Sequence, residues 1–215
     1  MAWEQIIAKF TIMKLLQHHY NLKDLNSFGL DIRASSYANP ADTEALIALL
    51  ENETGRQDPL LILGEGSNIL FRNDFEGMVI QPGMKGIDVM EEDGHELVVR
   101  VGAGENWDNW VGYATEKGWY GLENLSLIPG SVGSAPVQNI GAYGVELQDC
   151  FEWLEAWDTN TKQQVRLDHN ACRFGYRYSI FKGEAKGRYI ITHVAFRLNR
   201  EAKLQLDYGN VKDAF

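Results

Sequence analysis

The sequence of 215 residues has few of the residues that build disulfide frameworks or metal centres. Its two cysteines, Cys150 and Cys172, are too few for a disulfide framework and show no metal-ligand spacing, as is typical of chains kept in a reducing cytoplasm. Its five histidines form no H-x-x-H or H-E-x-x-H pattern, so we predict no metal site. We interpret both cysteines as ordinary packing residues.

Long apolar runs and an excess of positive charge are also missing. No segment approaches the roughly 18 consecutive apolar residues of a membrane span. Residues 1–13 carry Glu4 where a secretory signal peptide has a basic region. The formal net charge of −10 argues against nucleic-acid binding, because phosphates would be repelled, but a nucleotide can still be held locally. We expect a cytoplasmic protein without a membrane or nucleic-acid partner, and the sequence leaves its oligomeric state open.

Glycine, by contrast, is plentiful and clustered. Residues 128–144 contain four glycines, two prolines and the amide pair Gln138-Asn139. Glycine admits positive φ angles and a close approach of a ligand, while proline stiffens the backbone between the glycines. Polar side chains alternate there with small or apolar ones, which suits a flat heteroaromatic ligand with polar edges. The alternative is a long loop that packs only against itself.

Two predicted strands run into glycines, at residues 64–68 (GEGSN) and 102–104 (GAG), and both are candidate phosphate-binding loops. Neither completes the dinucleotide-binding pattern G-x-G-x-x-G, because the third glycine position holds Ile69 in one and Trp107 in the other. The first loop fits a nest, in which successive main-chain N–H groups converge on an anion, provided that Glu65 points away. A tight hairpin turn is an equally good interpretation of this loop.

Residues 172–179 (CRFGYRYS) form a third cluster. If this segment is a short helix, Arg173 and Arg177 lie four residues apart on one face, with Tyr176 beside the second arginine. Such a face can bind a carboxylate through a forked guanidinium and a neutral hydroxyl donor. From the spacing alone, a surface helix whose arginines pair with acidic residues is the stronger interpretation.

The hydrophobic pattern predicts a mixture of helices and strands in two lobes. Helices are predicted over residues 41–51, with Asn39-Pro40 as the start, and over 106–117, ended by Gly118. Strands are predicted at residues 60–63, 69–71, 78–80, 97–101, 151–157, 164–167 and 189–198. We divide the chain into an amino-terminal extension (1–20), a small βαββ lobe (21–105) and a second mixed lobe (106–215).

Taken together, these motifs resemble the UDP-N-acetylenolpyruvoylglucosamine reductases. The match keeps the family's order and covers nearly the whole chain after the first twenty or so residues, through NSFG, LILGEGSNILF, VGAGENW, GLENLSLIPGSVGSAPVQNIGAYGVE, CRFGYRYSIFK and DYG. The resemblance implies a two-lobed α+β FAD-binding fold of the vanillyl-alcohol-oxidase and p-cresol-methylhydroxylase type, with FAD between the lobes. Family members continue into a substrate-binding domain with a serine proton donor and a late glutamate. We therefore expect this chain to be the flavin-binding part, inactive by itself.

The resemblance also implies a reaction. NADPH and a noncovalently bound FAD would reduce UDP-N-acetylglucosamine enolpyruvate, a small nucleotide-sugar, to UDP-N-acetylmuramate for peptidoglycan synthesis, and hence for cell-wall biogenesis, cell shape and cell division. Two other functions remain open. An FAD oxidase of the same fold would often tether its flavin through His or Cys, and neither glycine-rich segment contains either residue. A nucleotide-binding module would use the same loops without redox chemistry.

Transferred position by position, the resemblance assigns site residues. Arg177 would stabilise negative charge at the substrate carboxylate. Tyr143 and Tyr176 would contact the substrate, together with Tyr208, which matches the lid tyrosine of one subgroup or is simply a tyrosine at a strand end. The implied FAD contacts are Gly64, Glu65, Gly66, Ser67, Asn68, Ile128, Pro129, Gly130, Ser134, Gln138, Asn139, Ile140 and Gly141. We also expect Gly66→Val to weaken FAD binding more than folding, because a branched side chain would block the pyrophosphate.

Overall fold

The computed structural model describes residues 15–52 and 58–202, which form two β-sheets with few helices. The first sheet has the strand order β1-β2-β4-β3, with β1 antiparallel to β2 and with β4 parallel to both β2 and β3. Its strands are β1 (Gln17–Asn21), β2 (Arg33–Ala38), β3 (Leu60–Ile62) and β4 (Phe75–Ile80). Strands that run in the same direction need crossover connections, and helix α1 (Thr43–Asn52) lies in the one from β2 to β3, which pair with opposite edges of β4.

Helix α1 begins later than the sequence predicted. The Asp42 carboxylate accepts a hydrogen bond from Ala45 N (2.7 Å), which satisfies one of the N–H groups left open at a helix start. The predicted start at Asn39-Pro40 is therefore wrong, and the Asn39 amide instead donates to the Gln81 carbonyl (2.8 Å). Leu46 and Leu49 are fully buried against the sheet, as their spacing predicted.

The second sheet is antiparallel throughout, in the order β10-β9-β11-β6-β5. Helix α2 (Trp107–Glu116) packs on it, with the rings of Trp107 and Trp110 at 5.8 and 5.6 Å from the ring of Phe196. Its strands are β5 (Ile87–Glu92), β6 (Glu96–Gly102), β9 (Phe151–Asp158), β10 (Gln163–Asp168) and β11 (Tyr189–Asn199). A two-residue hairpin, β7 (Gly141–Ala142) with β8 (Val145–Glu146), and the short helix α3 (His169–Cys172) complete this half.

The strands predicted at residues 60–63, 78–80, 97–101, 151–157, 164–167 and 189–198 are confirmed to within a few residues. The strand predicted at 69–71 is wrong, because these residues lie in the connection between the parallel strands β3 and β4. Residues 17–20, placed in the amino-terminal extension, belong to β1. The two sheets divide between Ile80 and Ile87, so β5 and β6 lie in the second sheet, and the domain boundary after residue 105 stays a prediction.

Both cysteines are packing residues, as predicted. Cys150 and Cys172 are free thiols buried in the core of the second half. Burial raises the pKa of Cys172 to about 12, so this thiol stays protonated and unreactive at neutral pH. Across the described ranges, no helix is long and apolar enough to cross a membrane, and no group of three potential metal ligands occurs.

Candidate functional site

The loop at residues 64–68, which we call the GEGSN loop, leaves the end of β3 and is not a hairpin turn. β3 and β4 are parallel, which excludes the hairpin interpretation. Gly66 has φ +67°, and its carbonyl accepts from Ser27 N (3.2 Å) and Ser27 Oγ (3.3 Å). The Gly64 carbonyl accepts from Gln81 Nε2 (2.9 Å). Two carbonyls of the loop are therefore held from outside the loop.

The main-chain N–H groups of the GEGSN loop are open. Among the described residues, none accepts a hydrogen bond from an N–H group of residues 64–68. In a trans peptide the N–H points opposite to the C=O, so the held carbonyls direct Glu65 N–H and Ser67 N–H away from Gln81 and Ser27. Open N–H groups beside a glycine with positive φ are the arrangement of an anion-binding nest.

The second glycine run, at residues 102–104, is built differently. Gly102 N donates to Gly86 O, Ala103 N to Thr192 O and Gly104 N to Met84 O, each at 2.9 Å. These N–H groups are already used in holding the chain together. The interpretation of residues 102–104 as a phosphate-binding loop is therefore wrong.

The glycine-rich segment at residues 128–144 packs directly against the GEGSN loop. Ser67 Oγ donates to the Pro129 carbonyl (3.1 Å), and Asn68 Nδ2 donates to Gln138 Oε1 (2.8 Å). A Cβ atom on Gly64 would lie 2.9 Å from Ser131 Oγ, so glycine permits this close approach. The segment contains the 3-10 helix Val132–Gln138 and is not a loop that packs only against itself.

A cleft between the two sheets opens beside these segments. One part, of about 240 Å³, is mainly apolar and receives residues from both sheets, among them Leu61 and Ile191. An adjoining part of about 210 Å³ shares Gly64 with it and is lined by polar groups that include Gln81 and Lys85. A polar compartment next to an apolar one suits a ligand with an anionic middle and an aromatic end.

The Glu65 side chain is directed toward the start of α2. Its Oε1 accepts from Asn106 Nδ2 (2.8 Å), and Asn106 Oδ1 in turn accepts from Asn109 N (2.9 Å) as the cap of α2. The carboxylate therefore has a fixed partner at the start of α2, and Glu65 also lines the polar part of the cleft.

Asn139 and Ile140 point into the protein and not into the cleft. Asn139 is fully buried and left-handed (φ 45°), and its amide donates to Glu146 Oε2 (2.9 Å) and Gly175 O (3.0 Å) and accepts from Gln148 N (3.0 Å). Ile140 is buried in the core of the second half. The expectation that these two side chains contact FAD therefore has no support in the geometry.

The arginine cluster does not form a helix. Helix α3 ends at Cys172, and Arg173 and Arg177 both have positive φ angles (47° and 54°). Residues 175–178 form a turn, closed by two hydrogen bonds of 3.0 Å between Gly175 and Tyr178. The two arginines also have different partners, because Arg173 pairs with Glu184 (2.7 Å) on the surface. The prediction of one shared helical face is wrong.

Arg177 lies beside the glycine-rich segment. Its guanidinium donates to the Gly141 carbonyl, and its own carbonyl accepts from Lys182 Nζ (3.2 Å). The ring of Tyr176, which is 84% exposed, lies 5.7 Å from the guanidinium carbon. Tyr143 follows Gly141 by two residues, at the exposed turn between β7 and β8. The structure thus brings the predicted residues 143, 176 and 177 to one place, while Tyr208 lies outside the described residues.

Gln81 and Ser27, which hold the carbonyls of the GEGSN loop, are not among the residues predicted from the sequence. A signal for Gln81 was present, since it directly follows β4 and the ends of neighbouring parallel strands meet at one edge of a sheet. Ser27 offered no comparable signal, because its contact depends on a turn 39 residues away in sequence.

The residues present fit FAD. The open N–H groups of the GEGSN loop match a pyrophosphate, and the adjoining apolar cleft matches an isoalloxazine ring.

The resemblance given by the sequence is also confirmed. The chain is 47% identical over 193 residues to the UDP-N-acetylenolpyruvoylglucosamine reductase of Chromobacterium violaceum, covering 89% of this chain and 57% of the relative. The chain thus spans a little over half the length of such curated relatives.

Solved structures with a similar fold include a reductase and a methylhydroxylase. The UDP-N-acetylenolpyruvylglucosamine reductase of Thermus caldophilus matches with a TM-score of 0.68 and 26% identity, over 85% of this chain and 62% of that one. A p-cresol methylhydroxylase matches with a TM-score of 0.54 and 15% identity, over 80% and 37%, which confirms the predicted fold class alone. The FAD binding domain family matches residues 34–167. This match covers more than half of the chain, and the nest and the cleft agree with it. The chain belongs to the FAD-binding domain family.

Proposed function

We propose that this chain is the FAD-binding part of an NADPH-dependent UDP-N-acetylenolpyruvoylglucosamine reductase, which produces UDP-N-acetylmuramate for peptidoglycan synthesis. The observation that carries the proposal is the position of Arg177, held against Gly141 at the end of the glycine-rich segment. In a chain this similar to the reductases, that position supports a role for the Arg177 guanidinium beside the segment that would line the flavin.

The nest and the glycine-rich segment would hold the cofactor. The N–H groups of residues 64–68 would receive the pyrophosphate, and Ile128, Pro129, Gly130, Ser134, Gln138 and Gly141 would line the flavin. When bound, FAD supplies the hydride-transfer chemistry between NADPH and the enolpyruvyl substrate. Gly130 has a φ angle of +139°, and a Cβ atom added to it would lie 3.2 Å from Ser134 Oγ. Because glycine has no side chain, the space between these two residues stays free.

Arg177 would stabilise the charge that builds at the substrate carboxylate in the second half-reaction. Its guanidinium can hold a carboxylate through two parallel hydrogen bonds. Tyr143 and Tyr176 would border the substrate from the two turns that flank Gly141, and Tyr208 is proposed as a lid residue from the sequence alone. One preorganised donor of this kind is worth about 3 to 4 kcal/mol of transition-state stabilisation.

Asn139 would act on Arg177 indirectly. Its amide joins Gly175, at the base of the turn that carries Arg177, to Glu146, which pairs with Gly141 across the β7–β8 hairpin. The guanidinium and the carbonyl that receives it are thereby fixed relative to each other. We therefore reassign Asn139 from cofactor contact to positioning residue.

The proposed cellular compartment and type of ligand rest on the composition of the chain. We propose a cytoplasmic enzyme, since both cysteines are free and buried, and one that binds small nucleotides but not nucleic acid, since the net charge is −10.

Stopped-flow kinetics of Arg177→Ala, in a version of the protein as long as its relatives, test the proposal. We expect flavin reduction by NADPH to remain near the wild-type rate, because no charge develops at the substrate carboxylate in that step. Reoxidation by the enolpyruvyl substrate should slow by a hundredfold or more, equivalent to about 3 kcal/mol. Arg173→Ala is the matched control and should leave both steps unchanged. Wild-type reoxidation in Arg177→Ala would contradict the proposed role.

A further inference from the structure

We infer that Gln81 is a positioning residue for phosphate binding, which fixes the direction of the peptide between Gly64 and Glu65. The inference rests on the proposed placement of the pyrophosphate at residues 64–68. Gln81 does not contact that group itself. It acts by holding the carbonyl on the far side of the peptide, so that Glu65 N–H is already directed at the anion before the ligand arrives.

The peptide between Gly64 and Glu65 is held through its carbonyl group. Gln81 Nε2 donates to the Gly64 carbonyl at 2.9 Å, and no cis peptide bond occurs among the described residues. Because a trans peptide is planar with N–H opposite to C=O, fixing the carbonyl also fixes the N–H. Ser27 holds the next-but-one peptide in the same manner, through the Gly66 carbonyl.

Gln81 is itself held in one orientation. The Tyr37 hydroxyl lies 2.6 Å from Gln81 Oε1, and Gln81 N donates to Ala38 O at 2.9 Å. The Gly64 carbonyl can only accept, so the amide nitrogen must face Gly64 and the amide oxygen must face the Tyr37 hydroxyl. Burial raises the pKa of Tyr37 to about 12, so its hydroxyl remains a donor throughout the neutral range.

The loop needs such an external constraint because of its own composition. Gly64 and Gly66 have no side chains, and glycine loses more conformational freedom on ordering than any other residue. A peptide that rotated freely would present its carbonyl to the anion for part of the time. A donor outside the loop that holds the carbonyl removes this orientation of the peptide. It thereby lowers the entropic cost of binding.

Gln81→Glu tests the inference with almost no change of shape. A carboxylate still accepts from Tyr37 but repels the Gly64 carbonyl, so at pH 8 we expect the dissociation constant for FAD to rise about tenfold or more. Protonation of the carboxyl restores a donor, so the affinity should recover as the pH falls toward 5.5. A merely structural role would weaken the binding of riboflavin together with that of FAD. Riboflavin, which lacks the pyrophosphate, should bind the variant and the wild type equally at both pH values.

Two further variants serve as controls. Gln81→Met removes the donor without a charge, so it should weaken FAD binding at both pH values and still report if Gln81→Glu does not fold. Tyr37→Phe keeps the donor and removes only its support, so we expect a loss of about twofold to threefold. FAD binding in Gln81→Glu and Gln81→Met within twofold of the wild type at pH 8 would overturn the inference alone. A wild-type chain that binds FAD no more tightly than riboflavin would instead remove the phosphate site on which the inference rests.

Discussion

Residues 64–68 and residues 102–104 share a sequence pattern but have opposite roles in the structure. Each is a glycine-containing run at the end of a strand. In the first run the carbonyls are held by Gln81 and Ser27, and no described residue accepts from the N–H groups. In the second run the N–H groups donate to backbone carbonyls at 2.9 Å. Only the first run can offer N–H groups to an anion.

Gly64 differs from the two glycines of the second run in what an added side chain would meet. A Cβ atom on Gly102 would lie 2.4 Å from Met84 O, and one on Gly104 would lie 2.7 Å from Gly83 C, so both glycines allow backbone segments to touch. For a Cβ atom on Gly64, the nearest atoms would instead belong to the side chains of Ser131 and Ser134. A glycine-rich motif thus predicts close approach, but whether a chain segment or a ligand approaches depends on the hydrogen-bond partners.

The largest effect is expected for Gly102→Val. Its new side chain would collide with main-chain atoms that cannot move independently, so we expect a loss of about 3 kcal/mol or more in the free energy of unfolding. Gly66→Val should behave alike, because its Cβ would lie 2.0 Å from Leu25 O at a positive φ. This corrects the expectation that Gly66→Val would act mainly on FAD affinity. Urea denaturation of the apoproteins measures both losses, and near-wild-type midpoints would contradict the comparison.

Asn139→Asp should have the next largest effect. It would place a buried carboxylate beside Glu146 and the Gly175 carbonyl, neither of which can donate to it. We expect a loss of about 2 to 3 kcal/mol at pH 8, which diminishes as the pH falls and the new carboxyl takes up a proton. Its neighbour provides the control, since Gln138→Glu lies at the half-buried contact with Asn68 and should cost little stability. Equal losses in the two variants would refute the different placement of the two amides.

Gly64→Ala should have a smaller effect that falls on the ligand. The added methyl group would press on Ser131 Oγ and Ser134 Cβ, which can shift slightly, and it would narrow the cleft between the two glycine-rich segments. We expect FAD affinity to fall about tenfold while the apoprotein melting temperature changes little. Gly112→Ala, in α2 with open space around it, should raise stability by about 0.5 to 1 kcal/mol and leave FAD affinity unchanged. A Gly64→Ala protein that binds FAD like the wild type would show that this contact lies outside the binding path.

Local patterns predicted much of the fold. Apolar patterns predicted β6, β9, β10 and β11, and Gly118 marked the end of α2. Local patterns failed where the structure of a segment depends on residues that are distant in sequence. Residues 69–71 read as a strand but have no neighbouring strand to pair with, and β2, with two serines, lacked an apolar signature.

The site was predictable to the same extent. Sequence motifs found the GEGSN loop, the glycine-rich segment and Arg177, because glycine and arginine have distinctive chemistry. They could not show that Ala103 N is bonded to Thr192 O, or that the Asn139 amide is buried, since both depend on pairings across the second half of the fold. The Arg173 and Arg177 spacing suggested a helix, whereas positive φ angles at both residues exclude one.

Amide hydrogen exchange with and without FAD tests the difference between the two glycine runs most directly. In the apoprotein, we expect the amides of residues 65–68 to exchange quickly and those of residues 102–104 to exchange slowly, because within residues 15–52 and 58–202 only the latter donate to an acceptor. Added FAD should slow exchange at residues 65–68 by tenfold or more, in proportion to occupancy, whereas riboflavin should not. Unchanged exchange at residues 65–68 under saturating FAD, with new protection confined to other segments, would contradict the assignment of this loop as the phosphate site.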